Sequence, residues 1–227
     1  MIKPILSDAW RIYRERFGVI ALIVTLIWLP CNLVDSYFTY FVFDPEDFRG
    51  SFKLTQFLEN FFGIIATAGV TYVVLGQTAN RPVGYGDALG VGFSSWGRMW
   101  ITRFLYSVAV LVGLLLLVIP GIYLGTRWAF AESIVIAEDV SGPTALRRSF
   151  DLTRGRFWPV FWLIVLTILI IAIPLVLFSL PVALVPVLDH WLINVAFMLP
   201  ADIAAAFATV VFTCGYRTLS EEPAAGV

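Results

Sequence analysis

Several things are scarce in this 227-residue chain, and each scarcity excludes a class of protein. It has two cysteines, Cys31 and Cys214, each inside an apolar run. That excludes a disulfide framework and a clustered zinc site, so both read as small apolar packing residues. It has one histidine, His190, beside Asp189. It has no HExxH, nucleophile elbow or phosphate loop, so no hydrolase or nucleotide enzyme is signalled. No catalytic residue, metal site or cofactor is therefore expected, and the chain reads as not an enzyme. Charged residues make up only 14%, with net charge −1, which argues against a nucleic-acid surface. The first seventeen residues hold Lys3, Asp8, Arg11, Arg14, Glu15 and Arg16. They contain no short apolar core with a small-residue cleavage site, so the first apolar run reads as a retained anchor.

Apolar residues are abundant, at 59%, with 15% aromatic and a mean hydropathy of +0.87. Soluble domains are near half apolar and a quarter charged. A crossing needs about 20 apolar residues. Six such stretches fall at about 17–40, 54–77, 99–119, 121–138, 157–179 and 191–216. The expected fold is an all-α integral membrane bundle: one domain over 1–219, with six transmembrane helices and cytoplasmic amphipathic surface helices at 3–16 and 143–156. The tail, 220–227, is polar and reads as disordered. Pro120-Gly121 leaves room only for an antiparallel hairpin. Pro181 and Pro186 are expected to break the uncharged run from Phe157 to Leu188. Residues 83–99 show a poor helix signal.

The distribution of Lys and Arg orients the chain. With six crossings, one side holds Lys3, Arg11, Arg14, Arg16, Arg81, Arg98, Arg103, Arg147, Arg148, Arg154, Arg156 and Arg217. The other holds Arg49 and Lys53. Both termini are thus expected in the cytoplasm, and the membrane is expected to be the bacterial cytoplasmic (inner) membrane. Three similar openings read either as a gapped threefold repeat or as chance alternation of loops and spans. Ser7-Asp8-Ala9-Trp10, Gly86-Asp87-Ala88-Leu89 and Pro143-Thr144-Ala145-Leu146 each open a segment that leads into a crossing with a proline.

Charges inside crossings are the candidate site residues, because each costs roughly 2.5–3.5 kcal/mol at a helix centre. They are Asp35, Glu59, Arg127, Glu132 and Asp202. Arg127 reads as the one base among them. It lies about 140° around the helix from Glu132, so it should seek an acid on another helix or reach outward. Glu132 and Asp202 could line a proton or cation path, or could be structural. Arg147, Arg148, Arg154 and Arg156 are candidates for anionic lipid head groups. Asp151 sits at spacings that allow weak ion pairs with its arginine neighbours. The expected partners are membrane lipids, with room for a protein partner or a homo-oligomer. Two functions follow: a lipid-contacting or scaffolding membrane module, and a small transporter or channel with an intramembrane acidic site.

Pro120-Gly121-Ile122-Tyr123, Arg127-Trp128, Glu138 and the run ALRRSFDLTRGRFW at 145–158 carry a resemblance. They resemble a bacterial multi-pass membrane family of unknown function. It is similar to the YciC-like inner-membrane proteins and to the membrane domain fused to some glycerophosphodiester phosphodiesterases. The likeness is clearest over about 115–165. It implies a helical plasma-membrane protein with lipid-related or envelope roles. It supplies no catalytic residues, since the chain leaves no room for the soluble phosphodiesterase domain.

Overall fold

The computed structural model describes residues 1–44, 48–184 and 190–221, and these are helical nearly throughout. The helices are α1 (Ile2–Glu15), α2 (Phe17–Phe41), α3 (Phe48–Leu58), α4 (Ile64–Thr78), α5 (Tyr85–Ser94), α6 (Trp96–Leu116), α7 (Val118–Arg127), α8 (Ala131–Glu138), α9 (Gly142–Leu152), α10 (Phe157–Leu184) and α11 (Trp191–Glu221). A π-helical turn, Glu59–Gly63, joins α3 to α4 without interrupting the helix. Five stretches are long and apolar enough to cross a membrane: Phe17–Phe41, Arg49–Thr78, Trp96–Leu116, Phe157–Leu177 and Trp191–Glu221. The expected crossing at 121–138 is two shorter helices, α7 and α8, with a break at residues 128–130.

The order of elements repeats three times. A short helix leads into one long helix and then a second: α1, α2, α3–α4; then α5, α6, α7–α8; then α9, α10, α11. The three alanines that mark the sequence repeat, Ala9, Ala88 and Ala145, are all fully buried. Each short helix is seated on the last helix of another unit, α1 on α11, α5 on α4 and α9 on α8. The last helices α4, α8 and α11 also touch one another. The core sits along this junction, with Ile64, Val70, Val73 and Val74 of α4 beside Ile134 of α8 and Val210 and Val211 of α11. The outward faces of α6 and α10 stay apolar and exposed, up to 77% at Leu115 of α6, as helices facing lipid require.

Burial explains why α5 was illegible in sequence. Its Gly92 suits close helix contact rather than amphipathic patterning. A Cβ at Gly92 would lie 2.7 Å from the Ile65 carbonyl oxygen, and one at Gly69 of α4 would lie 3.2 Å from the Ala88 carbonyl. Residues 83–96 therefore do not form a loop beyond the end of α4. They run back along it, and the Trp96 indole N–H reaches the Phe61 carbonyl at 2.6 Å.

Three boundaries also move. The α6–α7 turn falls at Leu117, whose backbone is extended. Pro120 lies in the first turn of α7, where a missing N–H costs nothing. The chains close up there because Gly113 meets Gly121. The second long helix begins earlier than the expected 54, because α3 opens at Phe48. Helix α10 continues through Pro181 to Leu184, an insertion that membrane helices tolerate. Pro186 and residues 222–227 lie outside the described residues.

Gly92→Val should force α5 off α4 and lower stability by about 1–3 kcal/mol. Gly90, one turn-half away with nothing within 4 Å of an added Cβ, should tolerate Ala with a small gain. Thermal midpoints of both variants in detergent check the contrast.

Candidate functional site

Helix α8 begins where α7 has ended, and helix α9 makes that break possible. The Arg127 carbonyl accepts hydrogen bonds from the Ser149 hydroxyl at 3.0 Å and the Thr153 hydroxyl at 3.1 Å. The Ser149 oxygen also accepts from the Phe130 N–H at 3.3 Å. Backbone groups freed by the break are thus repaired by a neighbouring helix, as an apolar surrounding demands. Glu132 then falls in the first turn of α8, where the helix dipole favours a negative charge.

The base that serves Glu132 is Arg103, not Arg127. Arg103 Nε lies 2.6 Å from Glu132 Oε1, and Nη2 lies 3.0 Å from Oε2. This is a two-pronged pair, the strongest arrangement an arginine and a carboxylate make. Arg103 counts among the basic residues of the cytoplasmic side, yet it falls inside the expected crossing at 99–119. That position was the signal for it.

Arg127 is nearly fully buried and pairs with no carboxylate among the described residues. Its guanidinium carbon stands 4.0 Å from the centre of the Phe150 ring and 5.7 Å from that of Tyr123. Its Nε has no hydrogen-bond partner. It neither reaches an acid nor extends outward. It is a cation held between rings, fastening α9 to α7.

Two cavities adjoin around Arg103. The larger, about 330 Å³, is walled by α4, α6, α8 and α11, with Thr71, Tyr106, Trp128 and Glu132 on its lining. The smaller, about 230 Å³, is lined by Trp28, Glu59 and Asp202. Thr67, Arg103 and Thr209 border both. Three of the candidate acids, Glu59, Glu132 and Asp202, therefore gather about one arginine. Asp202 also accepts from the Asn32 amide at 2.7 Å, which ties α11 to α2. Asp35 stands apart, bonded to the Thr55 hydroxyl at 2.8 Å. The Ser133 and Thr213 hydroxyls, 3.4 Å apart, continue the polar seam between α8 and α11. The hydroxyl of Thr71 is buried with no partner. Thr71, Tyr106, Trp28 and Arg103 were not singled out from sequence, because threonines and aromatics in a crossing look like ordinary filling.

The basic face is the other candidate. On α9, Ala145, Leu146 and Ser149 are buried while Arg147 and Arg148 are exposed, with Arg154 exposed just beyond the helix. The Arg148 Nε–H is shared between the two oxygens of Glu138, at 3.0 and 3.1 Å, and Glu138 also accepts from the Tyr216 hydroxyl at 3.0 Å. The expected Asp151 pairs are not among the ion pairs of the described residues; Arg148 turns to Glu138 instead. Cys31 and Cys214 are free and buried. His190 Nδ1 accepts the Leu192 N–H at 3.3 Å and so caps the start of α11.

Residues 99–220 match the family described as the membrane domain of glycerophosphoryl diester phosphodiesterase. A UPF0259 membrane protein of Sodalis glossinidius (strain morsitans) is 30% identical over 96 residues, covering 42% of this chain and 38% of that protein. The chain thus spans well under half the length of the curated relative it matches. No solved structure matches it.

If Arg127 is a clamp, Arg127→Met and Phe150→Leu should be non-additive. Their double-mutant cycle in detergent should give a coupling of about 1–2 kcal/mol.

Proposed function

The chain belongs to the family of glycerophosphoryl diester phosphodiesterase membrane domains, and we propose that it is a non-enzymatic module that holds anionic lipid at the membrane surface. The observation that carries this is the layout around α9. Its inner face is buried, and Arg147, Arg148 and Arg154 lie exposed. The next helix then opens with Trp158 and Trp162, both more than half exposed. Exposed indoles mark head-group level, and arginines at that level attract anionic lipid. Replacing Arg147 and Arg154 together by Gln should cost about 1 kcal/mol of anionic-lipid affinity per residue. Native mass spectrometry of retained phosphatidylglycerol reads this, and unchanged retention contradicts it. Arg148 is left in place because it ties α9 to Glu138.

The finer topology belongs to the same proposal. The repeated order of one short and two long helices supports α7–α8 as a sixth crossing, bent at its centre. The basic residues then favour both termini in the cytoplasm of a bacterial cell, with the cytoplasmic membrane as location. A cysteine at exposed Arg154, in a Cys31→Ala/Cys214→Ala background, should resist a membrane-impermeant thiol reagent in intact spheroplasts and react in inverted vesicles. The reverse pattern overturns the orientation.

A second reading, a small transporter, is favoured by one observation: Glu59, Glu132 and Asp202 line adjoining cavities where the three units meet. Repeat-built transporters place their sites at such junctions, beside interrupted helices. The break at 128–130, Pro200 within α11 and the π-helical turn at Glu59 supply the interruptions.

A further inference from the structure

The cavities around Arg103 have a composition that selects among ligands. Ionised, Glu59, Glu132 and Asp202 carry three negative charges against the single positive charge of Arg103. An entering anion would compete with Glu132 for the guanidinium and leave more uncompensated negative charge in an apolar bundle. An entering cation would offset the excess. A metal ion is the weaker fit, because no three His, Cys, Asp or Glu groups stand close enough to ligate one among the described residues. Aromatic side chains instead border the space, Trp28 in the smaller cavity and Tyr106 and Trp128 in the larger. Aromatic ring faces attract organic ammonium ions. The larger cavity, at about 330 Å³, falls within the range of small-molecule sites.

Thr71 supplies an independent pointer. It is 1% exposed, it lines the larger cavity, and its hydroxyl has no hydrogen-bond partner. Buried hydroxyls are nearly always paired, so an orphan one on a cavity wall marks where a polar occupant belongs.

We propose that the two adjoining cavities form a binding site for a small organic ammonium ion, with Glu132 as its principal counter-charge and Arg103 as the tethered cation it displaces. Empty, the site is held by the two-pronged Arg103–Glu132 pair. Occupied, the ammonium lies against Glu132 in the larger cavity and donates an N–H to the Thr71 hydroxyl. Arg103, which borders both cavities, turns to Glu59 and Asp202. This site is separate from the arginines of α9, so it stands or falls apart from the lipid-contact reading.

The test uses the full chain in an amine-free maltoside detergent, titrated with ethylammonium and tetramethylammonium chlorides. Tryptophan fluorescence reports occupancy through Trp28 and Trp128, and sodium chloride and sodium phosphate serve as controls. Both ammonium ions should give a saturable signal that the sodium salts do not. Glu132→Gln should weaken both by about tenfold. Thr71→Val keeps the packing volume. It should weaken ethylammonium by about threefold and leave tetramethylammonium, which has no N–H, unaffected. The proposal is overturned by no saturable ammonium response, by saturable binding of phosphate, or by affinities that ignore both substitutions. Nanodiscs with ethanolamine or glycerol head groups then identify the source. Weaker ethylammonium binding with ethanolamine lipid assigns the site to a lipid head group, and equal binding assigns it to a free amine.

Discussion

The centre of this protein has to hold charge in an apolar surrounding, and the two-pronged Arg103–Glu132 pair is the contact that the neighbouring elements depend on. Both residues sit on helices that would be hard to hold in lipid if either were alone. Their pairing fixes α6 against α8 at the level where α8 leaves its break. The break in turn needs α9, because Ser149 and Thr153 satisfy the Arg127 carbonyl. One ion pair and one set of hydroxyls thus position three consecutive elements. Arg127 completes the arrangement from the other side, its charge spread over Phe150 and Tyr123 rather than matched by a carboxylate.

The same junction shows how a threefold repeat closes. Three short helices bury their alanines on last helices, and α4, α8 and α11 converge. Polar side chains from all three, Thr71, Glu132 and Thr209, line one cavity there. The outward faces of α6 and α10 can then stay apolar, while α6 turns Arg103 inward to Glu132.

Much of the fold was legible in sequence because hydropathy and helix length are strong local signals. The long helices α2, α6, α10 and α11, the helical character of α1 and α9, and the alternation of short and long segments all follow from composition. What was illegible depends on contacts between distant segments. Helix α5 looks like a glycine-rich loop until Gly92 is set against Ile65. Arg103 looks like an end charge until Glu132 stands opposite. Arg127 looks like an ion-pair residue until the rings of Phe150 and Tyr123 surround it, since no linear pattern announces a cation between aromatic faces. Of the five intramembrane charges singled out, Glu59, Glu132 and Asp202 come together, and Asp35 and Arg127 serve other contacts.

The central claim is that Arg103 and Glu132 neutralise each other and that the helix junction depends on it. The most direct measurement is a thermal double-mutant cycle on Arg103→Gln and Glu132→Gln in detergent. Each single substitution should lower the unfolding midpoint, and the double should recover much of the loss, since it removes the pair together and strands neither of its two charges. Singles that leave the midpoint unchanged, or a double that loses the sum of both, would contradict the account.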